Sequence, residues 1–265
     1  IVSENGERIA IFNIRTAEEL AGLAKLVRNG NSMKNTMINL VSDVTLNDTT
    51  NFDNWDEQPP ANNWTAIGAV PIEAPNVNVV MTIQPECRNT VFAGMFNGNG
   101  HTISGMYSLH HNYAGLFART SGIITNVIVK DSYIQCINTQ KVESGDTALW
   151  EACAGGITAI CDRGVISHCE FDGKIFASGL NQVGYGTHGS FAGGIVGKFS
   201  DDESGVAAVV MMFALVPAGF LINPALFLTA SGQQVITDPG IYSCINRGSI
   251  YTEHGTDENG AGGII

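Results

Sequence analysis

Carboxylates are the commonest reactive groups in this chain. Asp131, Glu143, Asp146, Asp162, Glu170, Asp172, Asp201, Asp202, Glu203, Glu253, Asp257 and Glu258 stand in loops or between strand-like runs. Cleaving a glycosidic bond takes two carboxyls at a set separation, about 5–5.5 Å for retention and about 6.5–9.5 Å for inversion of configuration. Sequence spacing does not show which two of these acids meet, and acids alternating with buried strand residues ordinarily form a solvated face. Catalytic residues therefore stay unassigned. The run Asp201-Asp202-Glu203 offers hard oxygen ligands of the kind calcium takes, but it lacks the Asp-x-Asp-x-Asp-Gly loop with its distal Glu. These three are the metal candidates, with calcium as the ion, beside the simpler reading of an acid-rich turn; no other cofactor is expected.

The remaining reactive residues form no set. His101, His110, His111, His168, His188 and His254 are scattered, and His101, inside a glycine-rich run, reads as fixing a turn. The six cysteines include no Cys-x-x-Cys pair and no zinc-finger spacing; Cys169 and Cys244 read as compact core residues, and the even count permits disulfides without requiring them. Tyr107, Tyr113, Trp150, Tyr185 and Tyr251 fall near unit junctions, where an aromatic ring either stacks on a sugar, anchors a partner, or packs against a neighbouring loop. Trp150, Tyr185 and Tyr251 are the binding candidates.

What must position these residues is a repeat. The phrase Ala-Gly-(Gly/Leu)-(Ile/Phe) begins at 114, 154, 192 and 261, so its intervals are 40, 38 and 69 residues. A fixed period of this size marks stacked units that cannot bury their apolar sides alone. The 122–129, 164–171 and 239–246 segments share one frame, which sets Ile124, Ile166 and Ile241 in one column and Val127, Cys169 and Cys244 in another. Such columns would stack at the spacing of paired strands, about 4.8 Å. Before the repeats, Thr16 and Glu19 form a capping-box sequence. Leu20, Leu23, Ala24 and Val27 follow at helical spacing, and Asn29-Gly30 supplies the stop, which predicts a helix over Ala17–Arg28 covering the first unit and its open edge. In the 92–106 run, Gly94, Gly98, Gly100 and Gly105 are expected where the backbone turns with positive φ.

Composition narrows the classes further. The 265 residues carry a net charge of −12 with no Lys/Arg run, which excludes a phosphate-tracking nucleic-acid partner and opposes attraction to anionic lipid. Charged residues at 14% with 31 glycines suit tight turns between short buried strands, and eight prolines are too few for a disordered linker. One stretch, 205–236, has no charged residue and is long enough for a membrane span. Yet the repeat resumes in frame at Ile241, so an insertion packed on the repeats or on a partner is preferred to membrane contact.

The 92–103 run, the Ala-Gly phrases and the Ile-x-x-Cys-x-Asn-x-Gly-x-Ile form at 241–250 together resemble the GLUG-motif repeat family. So does the order of helix, apolar strand, Trp64-x-x-Ile67-Gly68 and glycine-rich run, over nearly the whole chain outside 201–238. Ser243 and His168 stand where that family often has Asn, which interrupts an Asn ladder. The resemblance implies a bacterial surface or secreted protein with right-handed parallel β-helix repeats, sometimes joined to peptidase or adhesion modules, and it supplies no catalytic residues.

The expected architecture is therefore all-β, a right-handed parallel β-helix solenoid with an N-terminal capping helix. Residues 1–35 hold a strand and the helix, and 36–265 hold the repeats with an apolar insertion at 201–238. Both ends read as cut from a longer parent. The expected function is a non-catalytic, extracellular or cell-surface module, adhesin-like or a stalk, that binds a host or cell-surface protein or a glycan. The alternatives are a carbohydrate-active β-helix enzyme, polysaccharide lyase or glycoside hydrolase, and the repeat region of a surface peptidase.

Overall fold

Short runs alternating apolar and polar residues, too brief for helices, dominate the chain, and they pair side by side. The computed structural model describes residues 9–69, 91–138, 151–179, 189–200, 227–228, 234–235, 239–253 and 258–264. It is mostly β, and every pairing in its four larger sheets is parallel.

The first sheet runs in the order Ala10–Ile14, Thr36–Leu40, Met95–Asn97, Ile123–Thr125, Val165–Ser167, Gly240–Tyr242. The second contains Val44–Thr45, Thr102–Ser104, Ile128–Ile137, Glu170–Ser178 and Ile245–Asn246, with Tyr107–His110 and Ser249–Glu253 also joined to its long strands. The third contains Tyr113–Ala114, Ala152–Gly155, Gly189–Gly193 and Glu258–Gly262; the fourth contains Phe117–Thr120, Thr158–Asp162 and Val196–Ser200. Successive passes of the chain feed the four sheets in the same order. Connections vary without disturbing this: the step from second to third sheet takes residues 111–112, 138–151, 179–188 and 254–257 on successive passes, and the third-sheet strands still pair in register.

The register explains the repeated phrases. Ala114, Ala154, Ala192 and Ala261 are consecutive partners, as are Ile38, Phe96, Ile124, Ile166 and Ile241. Ile38, Phe96, Ile124 and Ile166 are at most 1% exposed, and each such side chain contributes roughly 1.5–3 kcal/mol by leaving water. Phe92, Phe96 and Phe117 meet inside, with ring centroids 5.0 and 5.4 Å apart. After the first-sheet strands Ile123–Thr125, Val165–Ser167 and Gly240–Tyr242 the chain turns a corner in left-handed backbone, with φ of +54° at Asn126, +54° at His168 and +50° at Ser243. Asn suits that conformation better than His or Ser, and a non-glycine there costs on the order of 1 kcal/mol. The corner persists because it is tied from pass to pass: Asn126 N–H donates to Ser167 O (3.1 Å) and His168 N–H to Tyr242 O (2.9 Å).

The helix spans Ala17–Arg28. The Thr16 hydroxyl accepts from Glu19 N–H at 3.2 Å, while the Glu19 carboxylate accepts from Arg15 N–H, one residue before the cap, at 2.6 Å. Leu20, Leu23, Ala24 and Val27 join the core beside Ile14, Met33, Ile38 and Leu40. The cover is partial. Ile11 and Phe12 on the edge strand remain 42% and 57% exposed, because the narrow apolar stripe of the helix is directed at the interior instead.

The glycines of the 92–106 run divide into two kinds. Gly100 and Gly105 take positive φ, +79° and +72°, as their turns require. Gly94 and Gly98 do not; a Cβ there would lie 2.5 Å from Met33 O and 2.3 Å from Asn126 O, so close approach of neighbouring backbone demands them. Of the apolar stretch 205–236, Phe227–Leu228 pairs antiparallel with Gln234–Val235, and the rest lies outside the described residues. Among the described residues no helix is long and apolar enough to cross a membrane.

Candidate ligand-contact surface

The long second-sheet strands alternate buried and outward residues, Glu170–Ser178 throughout and Ile128–Ile137 on either side of an irregularity at Asp131. In Ile128–Ile137 the buried residues Ile134 and Cys136 leave Tyr133 and Gln135 outward, and in Glu170–Ser178 the buried Ile175 and Ala177 leave Lys174 and Phe176 outward. Parallel register lines these up across strands. Tyr107, Tyr133, Lys174 and Ser249 form one outward row, and Leu109, Gln135, Phe176 and Tyr251 form the next.

The first row is roofed by the segment around the short helical turn Phe52–Asn54. Tyr107 and Tyr133 stack at 5.7 Å and 19°, Trp55 meets Tyr107 edge-on at 6.2 Å, and Phe52 meets Trp55 edge-on at 5.4 Å. Lys174 Nζ lies 5.3 Å from the Phe52 ring and donates to Asp53 O at 2.9 Å. Burial pushes the Tyr107 and Tyr133 hydroxyls above their ordinary pKa, and for Tyr133 the nearby Asp56 adds to this. These tyrosines are neutral donors. The second row is open: Leu109, Gln135 and Phe176 are partly exposed, and Tyr251 is 60% exposed. Arg247, in the turn leading into Ser249–Glu253, is held by Glu170 at 2.9 Å. The surface thus offers two adjacent aromatic faces, Phe176 and Tyr251, with the Gln135 amide next to Phe176, beside cations that already have partners. It can stack on a flat apolar face and hydrogen-bond around it.

Of the residues singled out from sequence, Tyr251 stands on this surface. Trp150, Tyr185 and the acids Asp201, Asp202 and Glu203 lie outside the described residues. Asp162 pairs with Arg119 and Glu170 with Arg247, while Asp131 sits exposed at an irregularity between Lys130 and Ser132, with φ +46°. Among the described residues no three His, Cys, Asp or Glu side chains gather around a point that could hold a metal ion. His101 N–H donates to Gly98 O, and its ring meets Asp43 at 3.1 Å, so it fixes the turn. His110 Nδ1 accepts from the N–H groups of Asn112 and Tyr113.

Cys136, Cys153, Cys161 and Cys169 are buried thiols, and burial pushes each upward, Cys161 to about 12, so they stay protonated at neutral pH. Sequence reading passed over Phe176 and Gln135, which the alternation around Ile175 and Ala177 could have turned outward. It also passed over Glu151 and Lys198, an ion pair at 2.5 Å with side chains 14% and 9% exposed; Lys198 Nζ also lies 4.9 Å from the Phe191 ring. Comparison with protein-family models, with curated proteins and with solved structures finds no match to the chain.

Proposed function

We propose that the chain is a non-catalytic recognition module of a secreted or cell-surface bacterial protein, wound as a right-handed parallel β-helix and binding an extracellular protein or glycan through the outward rows of its second sheet. The winding is supported by the repeated feed of four parallel sheets, and its hand by the general preference of parallel crossovers. The resemblance of the repeat phrases to the GLUG-motif family supports the same architecture and location. A rigid stack with a standing aromatic surface suits adhesion, since a preformed site loses little conformational freedom on binding.

The observation that carries the reading is Tyr251, 60% exposed beside Phe176 and Gln135 in an open row, whereas the aromatics of the neighbouring row are roofed. The test is binding of the purified chain to immobilised glycans and extracellular matrix proteins, with Tyr251→Ala and Phe176→Ala as variants. Each variant is expected to weaken binding by about tenfold or more, the effect of losing an aromatic anchor. Binding that is unchanged in both variants would remove this surface from the function.

A further inference from the structure

Two of the thiols are neighbours by construction. Ser167 pairs with Tyr242 and Glu170 with Ile245, so the residues between them, including Cys169 and Cys244, occupy matching positions on adjacent parallel strands. The match is fixed from both sides: His168 N–H donates to Tyr242 O and Ile245 N–H to Cys169 O, each at 2.9 Å. The two side chains also point alike. Cys169 Sγ lies 3.3 Å from Ser167 O and 3.8 Å from Ile124 O, and Cys244 Sγ lies 3.3 Å from Tyr242 O and 3.7 Å from Ile166 O. Adjacent strands run about 4.8 Å apart, inside the Cα separation of about 4.4–6.8 Å that a disulfide spans. None of the other described cysteines is paired in register with a cysteine: Cys136 pairs with His110 and Ala177, Cys153 with Tyr113 and Phe191, and Cys161 with Thr120 and Phe199, although the Cys136 thiol meets the Cys153 backbone N–H.

We infer that Cys169 and Cys244 are a covalent cross-linking site, closed by thiol–disulfide exchange with a small-molecule disulfide, which staples the pass after the 205–236 stretch to the pass before it. Cys244 is the less buried thiol and is the one that opens the exchange. The hydrogen bond from Cys169 favours the Cys244 thiolate, while burial holds Cys169 protonated. The Cys244 thiolate attacks one sulfur of the small disulfide, forming a mixed disulfide and expelling one thiolate. Cys169 then gives up its proton to that thiolate and attacks Cys244 Sγ, expelling the second thiolate, which takes a proton from water. The protein loses two protons and two electrons, and the small disulfide gains them as two thiols.

The test uses the whole chain, incubated with excess hydroxyethyl disulfide, alkylated in denaturant and mapped by mass spectrometry. A peptide joining Cys169 to Cys244, lighter by two hydrogens than the reduced pair, is expected, with Cys136, Cys153 and Cys161 alkylated. The unfolding temperature should rise on oxidation and return on reduction. In Cys169→Ser, the mixed disulfide should persist on Cys244. Recovery of Cys169 and Cys244 both alkylated from the oxidised wild-type chain overturns the inference, as does a stable mixed disulfide on wild-type Cys244. An unmodified Cys244 in Cys169→Ser overturns the order of attack, and the wild-type map decides the cross-link even where that variant does not fold.

Discussion

The column Ile38, Phe96, Ile124, Ile166, Ile241 and the row Leu109, Gln135, Phe176, Tyr251 are made by the same parallel register, one facing in and one facing out. Inside, each residue has the same neighbours above and below, and large apolar side chains recur. Outside, each position meets whatever covers it, and the residues range from aliphatic to amide to aromatic. Register alone therefore imposes uniformity only where water is excluded from both sides of a contact.

The sharpest break of this contrast comes from the column. Phe96→Ala should lose about 3–5 kcal/mol in denaturant unfolding, because a fully buried ring leaves a cavity that the stacked neighbours cannot close. Next is Glu151→Gln, on the outward side but beneath cover. It leaves the Lys198 ammonium without its carboxylate, at a cost of about 3 kcal/mol, and adding Lys198→Met should recover most of that loss. A gain is expected at Ser108, whose buried Oγ has no hydrogen-bond partner among the described residues; Ser108→Ala should stabilise by about 1 kcal/mol in the same measurement.

Acid titration separates the two environments in another way. Asp43 accepts from Thr102 N–H at 2.9 Å and from His101 at 3.1 Å, which holds its pKa below the ordinary 3.8. A depressed folded-state pKa gives stability that is complete above the ordinary value and lost as pH falls through the lowered one. Asp43→Asn should therefore flatten the stability profile below about pH 4 and leave the interior columns, which do not titrate there, unaffected. The smallest change in stability is expected for Tyr251→Ala, within about 0.5 kcal/mol of wild type, and a larger loss would make that ring part of the packing.

The sequence spoke most clearly where one residue type answers one physical demand. Thr16, Glu19 and the spacing of Leu20, Leu23, Ala24 and Val27 specify the helix without help from the rest of the chain. Ile124, Ile166 and Ile241 could be aligned because their passes share a phrase; Ile38 and Phe96 stand in the same column but lack the phrase, so only pairing reveals them. Gly94 and Gly98 look like turn glycines, yet their reason is a backbone more than twenty residues away in sequence. The outward rows were half legible. Alternation tells which side a residue faces, but not that the Phe52–Asn54 turn roofs Tyr107 while Tyr251 stays bare. Glu151 and Lys198, 47 residues apart, carry no local signal of their pairing.

The connections between the second and third sheets occupy two residues on one pass and fourteen on another, as 111–112 and 138–151, while the strands they join keep their partners. Closing a longer loop costs only logarithmically more entropy, under about 2 kcal/mol for that sevenfold difference. This junction is therefore a natural cassette position: new peptide can be spliced in one pass at a time, each graft answerable only to its own two ends.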